Sequence, residues 1–288
     1  MTSPDVELAL GTVQFGMNYG IAGRGEPVPV KEVREIFAKA WEYGVRVIDT
    51  APAYGNIEEH LDSLIEHYPF RVVSKIPAIP RDISSDEVCD FVFESIQKTR
   101  ERLGTRLSTL LFHRSDDLLQ PYGADAWATA LNAISGSNIR LGVSCYSPFE
   151  ISMLQDKFGV SVAQLPGNAL DQRLRATSLN NIELHLRSVF LQGILLMAPE
   201  KAAMKLPHGE HSFNVWRKWC DEYQMLPLQA ALSIAKALPG VRYCVVGVDK
   251  LTQLEEIATA WEDAPPIDGS ALAIDNLDII DPRRWLVN

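Results

Sequence analysis

Residues 45–61 read V-R-V-I-D-T-A-P-A-Y-G-N-I-E-E-H-L, and residues 71–75 read R-V-V-S-K. The apolar run Val45, Val47, Ile48 predicts a strand that ends on Asp49. Tyr54-Gly55 follows, then a helical segment over 57–67, and a strand over Phe70–Lys75 built on Val72 and Val73. An acid, a phenol and an amine thus fall where strands give way to loops.

The same alternation extends in both directions. Leu8–Gly16 (L-A-L-G-T-V-Q-F-G) reads as a first strand opening into a glycine-rich loop through Tyr19-Gly20. Val33, Ile36, Phe37, Ala40 and Trp41 mark one helix face, with Gly44 as its C-terminal cap. Ser84 and Glu87 suit a capping box for a helix reaching Leu103. Further strands are predicted over Leu107–His113, Ile139–Tyr146, Val160–Leu165, Ser188–Leu191 and Val241–Val248. Helices are predicted over 124–134, 148–157, 178–186, 213–223, 228–237 and 251–261. Residues 262–288 form a C-terminal tail with no assigned structure, packing on or near the barrel. Strands that are near-continuous apolar runs, alternating with helices about eight times, imply a parallel sheet covered by helices. In 288 residues this closes as an α/β fold, a single-domain (β/α)8 TIM barrel spanning 1–288. An open doubly wound sheet fits less well, because the first strand lacks a G-x-G-x-x-G turn.

Composition narrows the function classes. A net charge of −10 and a pI near 5.1 disfavour nucleic acid and acidic membrane surfaces, which attract clustered Lys and Arg. No segment approaches the roughly 18 apolar residues of a membrane span. M-T-S-P-D-V-E has no signal-peptide character. Cys89, Cys145, Cys220 and Cys244 are scattered, as expected of reduced thiols in a cytoplasmic protein. His208 and His211 form an H-x-x-H without a third ligand nearby, so no metal site is expected.

In a barrel of this kind the active site lies at the C-terminal ends of the strands. Asp49, Tyr54, Lys75 and His113 would share that rim. Taken singly, an Asp there often caps a helix, Tyr-Gly can be a turn, a Lys is usually solvated, and a His often satisfies a core hydrogen bond. Their joint placement on adjacent strands favours a catalytic set.

D-T-A-P-A-Y-G, V-S-K, L-L-F-H and L-G-V-S, with G-T-V-Q-F-G at the start, resemble the signatures of the aldo-keto reductase family from about Leu8 to Ala258. The resemblance implies a barrel that binds NADP or NAD across its rim and interconverts an aldehyde or ketone and its alcohol. It makes Tyr54 the proton donor, Lys75 the cation that eases its ionisation, Asp49 the partner of that cation, and His113 the group that orients the carbonyl. A tyrosine with its ordinary pKa near 10 is otherwise a reluctant acid. Tyr19, with Tyr54 and His113, would meet the substrate. Phe15, Pro52, the segment after His113 and Trp285 are further pocket candidates.

The expected dinucleotide contacts are Thr12, Val13, Asp49, Ser144, Cys145, Gln164, Arg187, Ser188, Phe190, Gln192, Gly247, Val248, Gln253 and Glu256. Several depart from the family pattern. Cys145 stands where Asn commonly follows the carboxamide-binding Ser. Arg187 stands where Tyr often stacks on the nicotinamide ring, and a guanidinium plane can also stack. V-V-G-V-D-K-L-T-Q lacks the Arg that holds the 2′-phosphate of NADP in many relatives, and Lys250 offers only a point charge. A choice between NAD and NADP therefore stays open. The R-S-V-F-L-Q-G variant is similar to relatives acting on sugars, which suggests a sugar-like carbonyl. The family implies a small-molecule substrate, with no nucleic acid and no membrane, and a monomer or weak homo-oligomer. Two rival readings are a Schiff-base lyase using Lys75 as nucleophile and a binding or regulatory protein with weak turnover.

Overall fold

The computed structural model describes residues 6–285 except 22, 24 and 180. The first five and last three residues, including those read for a signal peptide and the end of the tail, lie outside the described residues. Eight parallel strands close into a barrel in chain order. They are β1 (Glu7–Gly11), β2 (Val47–Asp49), β3 (Arg71–Ile76), β4 (Leu107–Phe112), β5 (Arg140–Ser144), β6 (Val162–Pro166), β7 (Glu183–Arg187) and β8 (Val241–Val246). The predicted (β/α)8 architecture is therefore present.

Strand side chains alternate between two faces, and that alternation places the site. Ala9, Val47, Val73, Leu111, Val162, Tyr243 and Val245 pack together inside the barrel. Their neighbours Leu8, Leu10, Ile48, Val72, Leu110 and Cys244 face outward into the larger core shared with the helices. Two residues beyond the inward set stand Gly11, Asp49, Lys75, His113, Gln164 and Gly247. These positions form the C-terminal mouth. The opposite end is closed by polar pairs: Arg140 spans Glu183 at 2.7 and 2.8 Å, and Arg71 donates to the Tyr243 hydroxyl at 3.0 Å.

The helices follow their sequence signals. Val30–Glu42 buries Val33, Ile36, Phe37 and Ala40, and Ser84 with Glu87 forms the expected capping box on Ser85–Leu103. No described helix is long and apolar enough to cross a membrane.

The seventh unit differs from expectation. Among the described residues of 178–186 the predicted helix is absent, and β7 is Glu183–Arg187 rather than Ser188–Leu191. In I-E-L-H-L-R, Ile182, Leu184 and Leu186 pack in the outer core, a period of two that short length disguises as helical. Ser188, Leu191 and Gln192 have φ of +60°, +48° and +52°, which no strand accommodates. Among the described residues between β6 and β7 the only helical turn is the 3-10 segment Arg173–Ala176. As far as Trp285 the tail forms short helical turns, with Leu272, Ile279, Ile280 and Trp285 packed against Phe213, Trp216 and Trp219.

Candidate active site

Lys75 is 1% exposed. Its ammonium donates to Asp49 Oδ1 at 2.8 Å and to the Thr50 carbonyl at 3.0 Å. Burial by itself would lower the pKa of this amine. The Asp49 carboxylate, then Tyr54, outweigh that and hold its pKa above the ordinary lysine range. Asp49 is fixed from its other side by Gln164 Nε2, 2.7 Å from Oδ2. The Thr12 hydroxyl lies 3.1 Å from the Asp49 carbonyl and 2.9 Å from Thr50 Oγ1, tying β1 to β2.

Tyr54 is set over this pair by a backbone contact that only glycines allow. A Cβ on Gly16 would fall 1.7 Å from the Tyr54 carbonyl, and one on Gly55, at φ +66°, would fall 2.2 Å from the Gly16 carbonyl. The Tyr54 ring centre then lies 5.0 Å from Lys75 Nζ and 5.9 Å from the His113 ring, edge to face. The structure thus brings Asp49, Tyr54, Lys75 and His113 together.

Desolvation, followed by the charge of Lys75, pushes the His113 imidazole down to about 4. The ring is neutral at physiological pH and can offer an N–H without carrying charge. The unfolded chain, with a histidine pKa near 6.5, binds a proton there that the folded chain refuses. Stability is therefore full above about pH 6.5 and falls as pH drops toward 4, by about 2 kcal/mol at pH 5. In urea titrations at pH 7 and pH 5, His113→Asn should lose that much less stability on acidification than the parent. Equal losses would show that His113 is not the group responsible.

A groove of about 350 Å³ runs from Thr12, Asp49 and Tyr54 past Arg187–Phe190 and Gln192 to Gly247, Gln253 and Glu256. Val13, Tyr19, Ser188 and Phe190 also line it. The 188–193 wall holds its positive-φ backbone partly through Asn168 Nδ2, which donates to the Ser188 carbonyl at 3.2 Å. Ile21 N donates to Gln192 Oε1 at 3.3 Å, drawing the loop after β1 over the groove.

Other expected residues lie elsewhere. The Cys145 thiol sits in the outer core with its pKa raised by burial to about 12, and Val248 is also in that core. Neither side chain lines the groove, because each falls on the outward phase of its strand end. Ser144 and Gln164 are buried and do not line the groove. Phe15 packs edge-on against Phe37 at 5.5 Å, and the Trp285 indole donates to the Ile279 carbonyl at 3.2 Å, so neither forms part of the pocket. His208 and His211 are exposed.

Three groups had no sequence signal. Leu251 N donates to Glu32 Oε1 at 3.2 Å, so a carboxylate from a distant helix meets the start of Leu251–Glu262. Tyr146 lies beside two guanidinium groups, those of Arg187 at 4.2 Å and Arg283 at 3.6 Å. Their partners are far apart in the chain, and only tertiary contact reveals them.

Residues 7–275 match the aldo/keto reductase family. The chain belongs to the aldo/keto reductase family. Solved aldo-keto reductases share its fold. One from Bacillus halodurans in its holo form has a TM-score of 0.72 at 17% identity, covering 96% of this chain and 95% of that one. A putative aldo-keto reductase from Pseudomonas aeruginosa has a TM-score of 0.63 at 20% identity, covering 90% and 91%. No curated protein matches.

The groove of this aldo/keto reductase suits a long, polar cofactor such as the NAD(P)H that the family generally uses. A Cβ on Gly247 would fall 2.4 Å from Gln14 Nε2, and Gln14 Oε1 is buried without a hydrogen-bond partner. That orphaned acceptor and the glycine cradle beside it are what a bound group with its own donors would complete.

Proposed function

We propose that this protein is an NAD(P)H-dependent oxidoreductase that interconverts an aldehyde or ketone and its alcohol, with Tyr54 as acid and base. The observation that carries this reading is the buried Lys75, bonded to Asp49 and set beneath Tyr54 beside His113. The dinucleotide, when bound, supplies or accepts the hydride. In the reducing direction the Tyr54 O–H bond breaks and its proton goes to the carbonyl oxygen. The phenolate left behind faces the Lys75 ammonium, which lowers the cost of that charge. Neutral His113 donates an N–H to the same oxygen and fixes its direction. A lysine held charged by a carboxylate is a poor amine nucleophile, which weighs against Schiff-base chemistry. The likeness of R-S-V-F-L-Q-G to relatives acting on sugars supports a sugar-like substrate.

We infer further that a 2′-phosphate on the cofactor is not selected. The adenine end of the proposed site presents Glu256 and Gln253. Gln253 Oε1 already accepts from Asp249 N at 2.7 Å, and Glu32 accepts from Leu251 N. An added phosphate would meet these acceptors and the exposed Lys250, with no guanidinium fork among the described residues. Titrations of NADH and NADPH, followed by tryptophan fluorescence, should give NADH a Kd equal to or below that of NADPH. A preference for NADPH of about tenfold or more, some 1.4 kcal/mol, contradicts this assignment. Absence of binding by either, with no turnover of any aldehyde, contradicts the function itself.

A further inference from the structure

We propose that Arg187 receives an oxyanion carried by the substrate, so that the favoured carbonyl compounds bear a carboxylate or a phosphate. This deepens the carbonyl-reduction reading and rests on it for the identity of the substrate.

Arg187 ends β7 and lines the groove together with Tyr19 and Tyr54. Its guanidinium is held in a fixed plane. Nη2 donates to the Cys145 carbonyl at 3.0 Å, and Cζ lies 4.2 Å from the centre of the Tyr146 ring. Arg283 lies 3.6 Å from the same ring centre. Two guanidinium groups this close to one ring must take opposite faces, so Tyr146 is clamped. Arg173 Nη2 donates to the Tyr146 carbonyl at 3.0 Å and secures the same segment from its backbone.

Charge pairing around this cluster leaves Arg187 out. Lys75 pairs with Asp49 at 2.8 Å, Arg173 with Asp171 at 2.7 Å and Arg283 with Asp281 at 2.6 Å. Glu150 acts on Arg283 and accepts from the Ser115 hydroxyl. Among the described residues Arg187 has no carboxylate at ion-pairing distance, although the chain as a whole carries −10. A half-buried guanidinium facing a cavity without a counter-ion is costly unless a ligand supplies the charge. The planar fork offers two parallel N–H donors to an oxyanion, and its rotamer is already fixed by stacking.

Stacking on the nicotinamide ring is the weaker use of this side chain. One face is already given to Tyr146, and the oxidised nicotinamide is itself a cation that a guanidinium would repel. Arg187 also acts on both Tyr19 and His113, which places its charge at the reacting end of the groove.

The test compares kcat/KM for matched pairs, succinic semialdehyde against butanal and glyceraldehyde 3-phosphate against glyceraldehyde. The parent should favour the anion in at least one pair by about 10- to 100-fold, the range of a hydrogen bond to a charged group. The pair that shows it tells carboxylate from phosphate. In Arg187→Gln the ratio should fall close to unity, and because a ratio is read, general damage to turnover cancels. Arg187→Lys, which keeps charge and loses the fork, should give an intermediate ratio and serves if the Gln variant does not fold. Calorimetric titration of succinate and inorganic phosphate reads the oxyanion site without turnover. Binding lost in Arg187→Gln, with no aldehyde reduced by the parent, would uphold the oxyanion site and refute carbonyl reduction. A parent that does not discriminate, or a variant that loses NADH affinity while keeping the anion ratio, overturns the proposal.

Discussion

Tyr54→Phe is expected to lower kcat/KM for carbonyl reduction by about a hundred- to ten-thousandfold, the usual worth of a positioned general acid. The substitution removes one oxygen and leaves the ring whose edge contact with His113 is 5.9 Å between centres. The Gly16–Gly55 backbone contact that sets the loop is also unchanged. Dinucleotide affinity should therefore stay within roughly threefold, since the groove beyond Asp49 is untouched. Stopped-flow reduction of a small aldehyde and a fluorescence titration of NADH give the two numbers. Turnover equal to the parent would remove Tyr54 from the proton-transfer step.

Lys75→Met is expected to damage both activity and fold. The ammonium is the partner of a carboxylate buried with it, and removing one member of a buried pair costs about 3–5 kcal/mol. Among the described residues Asp49 would keep only the Gln164 amide on Oδ2, and Thr50 would lose the donor now 3.0 Å from its carbonyl. Adding Asp49→Asn should restore much of the stability by removing the unpaired charge, while reduction stays lost because no cation faces the phenol. Urea midpoints of the two single variants and the double variant measure this coupling. A Lys75→Met protein as stable as the parent would mean that the pair contributes little to the fold.

The barrel was legible because its signals are local. Alternating faces in L-A-L-G and V-R-V-I-D, the helix stripe through Val33 and Ala40, and the Ser84–Glu87 box each lie within one element. The misreading at residues 178–191 arose where local signals conflict. I-E-L-H-L-R is short and carries three polar groups, and the apolar V-F-L that follows belongs to a left-handed loop. Analogy of position points Cys145 and Val248 at the groove, whereas strand phase turns both side chains outward. Glu32, Tyr146 and Arg283 could not be read at all, because their roles depend on partners far away in the chain.

By itself, the sequence determined that strands and helices alternate into a closed parallel barrel, and that an acid, a phenol, an amine and an imidazole fall at strand ends. Period and spacing suffice for that, since side-chain direction within an element is set by backbone geometry. Only the tertiary structure decided which charges neutralise one another. Asp49 is committed to Lys75, Asp171 to Arg173 and Asp281 to Arg283, while Arg187 is left facing the groove. Those pairings depend on distances of a few ångströms between segments brought together by barrel closure, over which electrostatic energy changes steeply and sequence order carries no measure.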